Sequence, residues 1–244
     1  MFSKEGVRFY DEHNSHLSFE DKSFIIADNN VPLAGVIMTV DRSAKGNRIS
    51  GHGRFVNYVE NGNKELKGFK AAKKALKKHF EQICVDHDIN NIIFREYASI
   101  NGTLSTLSRH LLAHGATCRA ILTNVVDLAL TTEELHSKLS KSCRNSINWG
   151  ANNLVIEHRI GKQVTIEDVL AMRSLHIKES GRETRSRKTW ELQLEMANMG
   201  KAFMIQGYKN TKLVASSFFV HNTSTCLYFS SAAELSMYQN PLNH

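Results

Sequence analysis

The chain has little proline and no linker-like stretch. Its 244 residues include two prolines, Pro32 and Pro241, and no glycine- or serine-rich segment divides the sequence. We therefore expect its domains to pack directly on each other. The four cysteines lie far apart and form no Cys-x-x-Cys pair, which argues against a zinc ribbon or a redox dithiol and predicts reduced thiols.

Long apolar runs and an export signal are also missing. No run approaches the roughly 20 apolar residues that span a bilayer, and no signal-peptide pattern follows Met1. We therefore expect a cytoplasmic protein. The net charge of +7 predicts an anionic partner: a nucleic acid, a phosphorylated cofactor or a membrane surface.

Two segments have the pattern of β-hairpins. In residues 23–40 and again in residues 202–220, apolar runs flank a short polar turn, Asp28-Asn29-Asn30 in the first case and Lys209-Asn210-Thr211-Lys212 in the second. Aligning the returning strands sets Leu33 against Leu213, which predicts a degenerate repeat of two α/β units.

Helices and strands alternate around these hairpins, which predicts an α/β or α+β fold with central sheets flanked by helices. In the first unit we expect helices over residues 64–86 and 104–114, and strands over residues 91–95 and 121–130. Thr131 and Thr165 each open a predicted capping box, with Glu134 and Asp168 as the partners. One helix from Thr131 would carry Leu135, Leu139, Cys143 and Ile147 on one face and Lys138, Lys141 and Arg144 on the other. Further on we expect a helix over residues 187–199 and a strand over residues 226–231, after which the second unit is shorter than the first.

Basic residues are concentrated in three places. Lysines 64, 67, 70, 73, 74, 77 and 78 lie on one predicted helix, which is typical of a solvated face or of a phosphate or RNA footprint. No aromatic residues interleave with them. The predicted connection between two later helices carries Arg182, Arg185, Arg187 and Lys188, where arginine suits bidentate recognition of phosphate or carboxylate. Lys138, Lys141 and Arg144 form the third group.

The sequence contains no complete motif for metal binding or for several common types of catalysis. His110 and His114 are four residues apart, but Leu111 stands where a zinc peptidase needs glutamate, and the sequence indicates no third ligand. We therefore expect no metal. The chain also lacks a Gly-x-Ser-x-Gly elbow and the protein-kinase motifs.

Three segments resemble FemAB-like proteins of the GNAT superfamily. The first segment is residues 135–147, which contain the pattern Lys141-x-x-Arg144 and continue through residues 150–157. The second is residues 180–190, and the third is the closing Pro241-Leu242-Asn243-His244. The resemblance implies tandem GNAT-like units, each a mixed central sheet flanked by helices. It places the first unit at residues 1–130, a connecting basic helix and strand at 131–160, and a second, C-terminally incomplete unit at 161–244.

The resemblance implies an N-acyltransferase that uses acyl-CoA or an aminoacyl-tRNA as co-substrate and an amine as acceptor, in cell-wall or surface-glycan biosynthesis. The strand over residues 227–231 would hold the acyl group, with Tyr228 and Ser230 as positioning residues and Glu183 as the candidate base. Arg182, Arg185 and Lys188, together with Lys138, Lys141 and Arg144, would contact an anionic or nucleotide-linked substrate or tRNA. If the chain ends at His244, we expect the shortened second unit to be inactive.

A non-catalytic alternative also follows from the sequence. In that interpretation the lysine-rich helix over residues 64–78 binds RNA or another anion, and the chain performs no reaction.

Overall fold

A computed structural model describes residues 4–62, 68–96, 103–121 and 124–234. The chain divides into two compact units, one formed by Asn14–Leu122 and the other by Met1–His13 with Thr123–His244. We call them the inserted unit and the discontinuous unit. The assignment of GNAT-like units with boundaries at residues 130 and 160 stays a prediction.

The elements follow each other along the chain in this order: α1 (Lys4–His13), β1 (Ser18–Asp21), β2 (Phe24–Asp28), β3 (Val31–Ile37), β4 (Thr39–Ser43), β5 (Gly46–Ser50), β6 (Asn57–Glu60), α2 (Phe69–Asp86), β7 (Ile89–Ile92), α3 (Thr106–Ala113), α4 (Thr132–Lys138), α5 (Lys141–Asn153), β8 (Val155–Ile160), α6 (Ile166–Ser180), α7 (Arg187–Asn198), β9 (Ala202–Lys209), β10 (Lys212–His221) and β11 (Cys226–Ala233).

The inserted unit packs α2 and α3 against its sheets. One sheet has the order β1-β4-β5-β7, with β5 and β7 parallel, and the other has the order β2-β3-β6. Leu76, Phe80 and Ile83 of α2 are buried in the same core as Leu107 of α3. Their helical spacing explains why the sequence predicts this helix. Lys64 and Lys67 lie outside the described residues.

The discontinuous unit has one described sheet, in the order β11-β10-β9-β8, and every pair in it is antiparallel. Short connections join β9 to β10 and β10 to β11, and such hairpins can only make antiparallel pairs. The mixed α/β fold is therefore confirmed, while this sheet, as far as it is described, is antiparallel rather than mixed. Helices α1, α6 and α7 supply core residues such as Phe9, Met172 and Trp190.

Both predicted hairpins are confirmed, and they share an unexpected detail. Each turn places two consecutive residues at positive φ, Asn29 and Asn30 in the first and Asn210 and Thr211 in the second, as type I′ turns require. In each hairpin the third residue after the turn has no partner on the opposite strand, which makes it a β-bulge. These bulge residues are Leu33 and Val214, so the alignment of Leu33 with Leu213 is wrong by one position.

Two predicted elements differ from the structure. The described residues between 121 and 130 form no strand, because the Asp127 carboxylate accepts a bond from the Ala129 N–H and turns the chain. The helix predicted from Thr131 breaks at Leu139, where the backbone is extended. Ser140 then caps α5 by accepting a bond from the Cys143 N–H at 3.2 Å.

A buried carboxylate links β4 and β5 of the inserted unit. Asp41 is 1% exposed and accepts bonds from Thr39 at 2.6 Å, from Arg48 Nε at 3.0 Å and from Ser50. Ser50 also accepts a bond from the Gly53 N–H at 2.8 Å, so the network fixes the turn that follows β5. Such a carboxylate depends on all its donors, because it has no access to water.

We predict that Asp41→Ala lowers the free energy of unfolding by about 3–5 kcal/mol, since it leaves buried donors without their acceptor. Urea denaturation followed by circular dichroism measures the change. Glu20→Ala is the control, because Glu20 pairs with Lys22 and Arg42 on the solvent side of the neighbouring strand. A loss in Asp41→Ala no larger than that in Glu20→Ala would contradict the prediction.

Candidate active site

The candidate site is built on the buried face of α7. Ser186 precedes the helix, and Trp190, Gln193, Met196 and Ala197 are each at most 2% exposed. Their spacing of three and four residues puts them on one side of the helix. Two polar side chains of α7, Thr189 and Gln193, are also at 0% exposure, and they lie one turn apart beside the apolar ones.

Arg185 lies against one end of this face. Its guanidinium carbon is 3.6 Å from the Trp190 ring centroid and 5.7 Å from that of Phe9. Within the described part of the chain, its buried Nε and Nη2 atoms have no hydrogen-bond partner. Burial lowers the pKa of Arg185 to about 10, so the group stays charged at neutral pH. Nε and Nη2 form the edge of a guanidinium that binds two oxygens of one carboxylate or phosphate.

His176 on α6 borders the same place. Its ring packs edge-on against Trp190 with 5.5 Å between the centroids. Burial, and then the charge of Arg185, lower the pKa of His176. This lowered pKa favours the neutral imidazole over a second positive charge beside the guanidinium.

The strand predicted to hold the acyl group contains a β-bulge. Phe218 of β10 pairs with Ser230 and Phe219 pairs with Tyr228, so Phe229 has no residue opposite it on β10. Of the strands that the structure describes, β11 lies at one edge of its sheet. An edge strand presents backbone N–H and C=O groups to a ligand, and a bulge bends that edge.

The bulge places Phe229 and Ser230 toward the core one after the other. Phe229 packs 4.9 Å from Phe9, measured between ring centroids, while the Ser230 hydroxyl accepts a bond from Gln193 Nε2 at 2.9 Å. Because that hydroxyl already accepts one bond, its own hydrogen can be donated elsewhere. We call Arg185, Trp190, Gln193, Phe229 and Ser230 the α7 site.

Tyr228 lies on the other side of the sheet. It is 54% exposed and its ring lies 5.4 Å from that of Phe219, which in turn stacks on Phe203. The structure therefore separates Tyr228 from Ser230, although they are two residues apart. The bulge is the reason, because it changes the alternation of side chains along β11.

The remaining predicted site residues lie around or away from the α7 site. Arg182 and Glu183 are exposed on the connection between α6 and α7, and the Glu183 carboxylate accepts a bond from Arg173 at 2.6 Å. Lys188 pairs with Glu191 at 3.4 Å and lines a shallow depression with Arg8, Asp11, Glu12 and Leu192.

Lys138 and Lys141 are exposed on α4 and α5. Arg144 bonds to the carbonyl oxygens of Leu139 and, at 3.4 Å, of Ser137. This contact joins the end of α4 to α5, so Arg144 has a structural role. Roles of these residues in substrate binding stay predictions.

Comparison with known proteins identifies the fold. No protein-family model matches the sequence, and no match is found among curated proteins. The whole chain superposes on the crystal structure of FemX with a TM-score of 0.65 at 10% sequence identity, covering 82% of that chain. The chain has a FemAB-like fold. At this identity the likeness concerns the fold alone, and on that point the prediction is confirmed.

A second solved structure is also similar. It is a tandem GNAT protein from the clavulanic acid biosynthesis pathway, with a TM-score of 0.46 at 9% identity, and the match covers 93% of this chain and 67% of that one. Within the described part of the FemAB-like fold, no helix has both the length and the apolar character needed to cross a membrane.

Sequence reasoning missed Gln193 of the α7 site and also Phe9, which packs near Arg185 and Phe229. Phe9 belongs to a helix far away in sequence, and nothing near Arg185 points to it. Gln193 could have been found from the sequence, since a glutamine in a mainly apolar helical stripe is expected to have a buried partner. Neither Ser230 nor Gln193 indicates by itself that the other is that partner.

We predict that His176 titrates below its ordinary pKa of 6.5 and that Arg185→Met moves its pKa upward. The upward shift is partial, because methionine keeps the apolar cover while removing only the charge. A lowered pKa means that the unfolded chain binds a proton that the folded chain does not, so stability falls as pH drops through about 6.5.

NMR titration of the histidine ring protons in both proteins measures this effect. The exposed His136 on α4 serves as the reference, and its curve should be the same in both proteins. An identical His176 curve in the wild type and in Arg185→Met would show that the Arg185 charge does not act on His176.

Proposed function

We propose that this protein is an N-acyltransferase that passes an acyl or aminoacyl group from acyl-CoA or aminoacyl-tRNA to an amine. The observation that carries the proposal is the bulge at Phe229. It lies in the strand that the FemAB resemblance assigns to the acyl group, in a chain that superposes on FemX over its whole length.

The proposed reaction needs donors for a developing oxyanion. The amine nitrogen attacks the thioester or ester carbonyl, a tetrahedral oxyanion forms, and the thiolate or ribose oxygen leaves with its electron pair. Backbone N–H groups of the β11 edge and the Ser230 hydroxyl are the proposed donors to that oxyanion. Gln193 occupies an acceptor position of the Ser230 oxygen at 2.9 Å and so restrains the direction of its O–H.

Arg185 is the proposed anchor for the anionic part of a substrate. Among the described residues, the buried Nε and Nη2 atoms of Arg185 have no hydrogen-bond partner, which is costly, and a phosphate or carboxylate on that edge would remove the cost. Trp190 holds the guanidinium plane from one side, which fixes its orientation before a ligand arrives. Arg182 and Lys188 would add charge at the rim.

The proposal extends to the acceptor and to the base. The resemblance favours an amine of a cell-wall or surface-glycan precursor as acceptor. Glu183 is the proposed base, and it would have to leave its 2.6 Å contact with Arg173 to take the proton of the amine. Lys138, Lys141 and Arg144 would contact the tRNA if that is the donor.

We predict that the purified chain forms an acylated product when given one of two donor preparations, acetyl-CoA or mixed aminoacyl-tRNAs. Small primary amines and a lysine-containing peptidoglycan peptide serve as acceptors, and mass spectrometry detects the product. Ser230→Ala should lower kcat/KM about 100-fold, which is the usual effect of losing one oxyanion donor.

Ser231→Ala is the matched control, because Ser231 is the next residue of β11 and faces the opposite side of the sheet. Its kcat/KM should stay close to the wild-type value. Absence of product with both donors would overturn the proposal. Equal effects of the two serine variants would remove Ser230 from the mechanism.

A specific observation favours a second candidate function. Lys70, Lys74, Lys77 and Lys78 are exposed along α2, opposite the buried Leu76 and Phe80, and no ion pair to them is seen among the described residues. Such a face neutralises phosphates at regular spacing. The second proposal is therefore a non-catalytic RNA-binding protein.

We predict for this candidate that RNA affinity falls steeply with salt and is abolished by Lys70→Glu, Lys74→Glu and Lys77→Glu together. Fluorescence anisotropy with a labelled single-stranded RNA, at several salt concentrations, measures it. Donor-dependent thermal stabilisation that persists in this triple variant would favour the acyltransferase instead.

A further inference from the structure

A cluster of three potential metal ligands lies in the inserted unit, whereas the α7 site belongs to the discontinuous unit. Glu81 on α2 and His110 and His114 at the end of α3 each offer one ligand atom, and these atoms lie within 4.8 Å of one another. Among the described residues, no other three histidine, cysteine or acidic side chains bring their potential ligand atoms this close together.

The local folding of α2 and α3 explains the cluster. His110 and His114 are separated by four residues, so their rings lie one above the other, 4.3 Å apart between centroids. Packing of α2 on α3, with Phe80, Ile83 and Leu107 in one core, then brings Glu81 in front of both rings. The third ligand therefore comes from another helix, which explains why the sequence does not show it.

The separations fit a shared metal better than direct hydrogen bonds. The Glu81 Oε1 atom lies 3.4 Å from His110 Nε2 and 3.8 Å from His114 Nε2. A charged hydrogen bond between these groups would be about 2.7–2.9 Å long. Ligands at about 2.0–2.1 Å from a tetrahedral zinc ion are themselves about 3.3 Å apart.

The orientation of His114 supports the same conclusion. Its Nδ1 atom lies 2.8 Å from the carbonyl oxygen of His110. A carbonyl oxygen can only accept, so Nδ1 carries the hydrogen and Nε2 has its lone pair directed at the cluster. Metal-binding histidines are commonly fixed in this way by a carbonyl on the other nitrogen.

We propose that Glu81, His110 and His114 bind a zinc ion, with water as the fourth ligand. His110 is 6% exposed and forms the floor of the site, while the side chains of Glu81 and His114 are 51% and 62% exposed. The metal would reach the site from solvent and would join α2 to α3. The proposal does not depend on acyl transfer, because none of its residues belongs to the α7 site.

A substitution of Lys77 tests the same site in a second, independent way. Lys77 lies one turn before Glu81 on α2, and side chains four residues apart on a helix are neighbours, so its positive charge lies beside the proposed ligand Glu81. A bound cation would be repelled by that charge, so removing the charge should strengthen binding. An ordinary cluster of side chains without metal gives no reason for such an effect.

The test is calorimetric titration of the full chain with zinc chloride, in buffer containing excess magnesium. Magnesium prefers all-oxygen sites and should not compete. We expect the wild type to bind one equivalent tightly, and we expect Glu81→Gln and His114→Ala each to weaken that site by more than about tenfold. Both positions are largely exposed, so these variants should keep the wild-type circular dichroism spectrum.

His136→Ala is the matched control, since His136 is an exposed histidine on α4, and it should bind like the wild type. Lys77→Met should bind several-fold more tightly. Wild-type zinc affinity in both Glu81→Gln and His114→Ala would overturn the proposal. So would displacement of the zinc by magnesium.

Discussion

The burial of one face of α7 is the constraint on which the discontinuous unit depends. Trp190 and Met196 share a core with residues of the sheet and of α1, and Gln193 is fully buried beside them. Trp190 supports Arg185, and Gln193 binds Ser230. A shift of α7 along its axis would therefore disturb the core, the guanidinium and the bulged strand together.

The positive charge of this protein has two distinct physical roles. The lysines of α2 are solvated, so their charge carries little desolvation cost. Salt screens the attraction of this charge for a distant anion. Arg185 is half-buried against aromatic rings, with its Nε and Nη2 atoms shielded from water, so salt screens its charge much less. For this reason the lysine face suits non-specific binding of anions. Arg185 suits a single contact of fixed orientation with one anionic group.

Patterns local in sequence predicted much of the fold. Both hairpins, the capped helix α6 and the apolar face of α2 follow from turn residues, caps and periodicity that lie within one element. The break at Leu139 was missed because Ser140 competes locally for the Cys143 N–H. The candidate site was only half predictable: Arg185 and Ser230 have suitable chemistry, but Phe9 and Gln193 join them only through tertiary packing. Glu81 is likewise paired with two histidines by the crossing of two helices.

The position of α1 has a consequence for how the chain acquires its structure during synthesis. Phe9 and Tyr10 are buried against residues such as Phe229, and Glu5 pairs with Lys201 at 2.8 Å. All of these partners leave the ribosome after the whole inserted unit. The elements that cover the apolar face of α1, which are α7 and then β11, are therefore synthesised only after the inserted unit. The two ends of the discontinuous unit thus come together only late in synthesis.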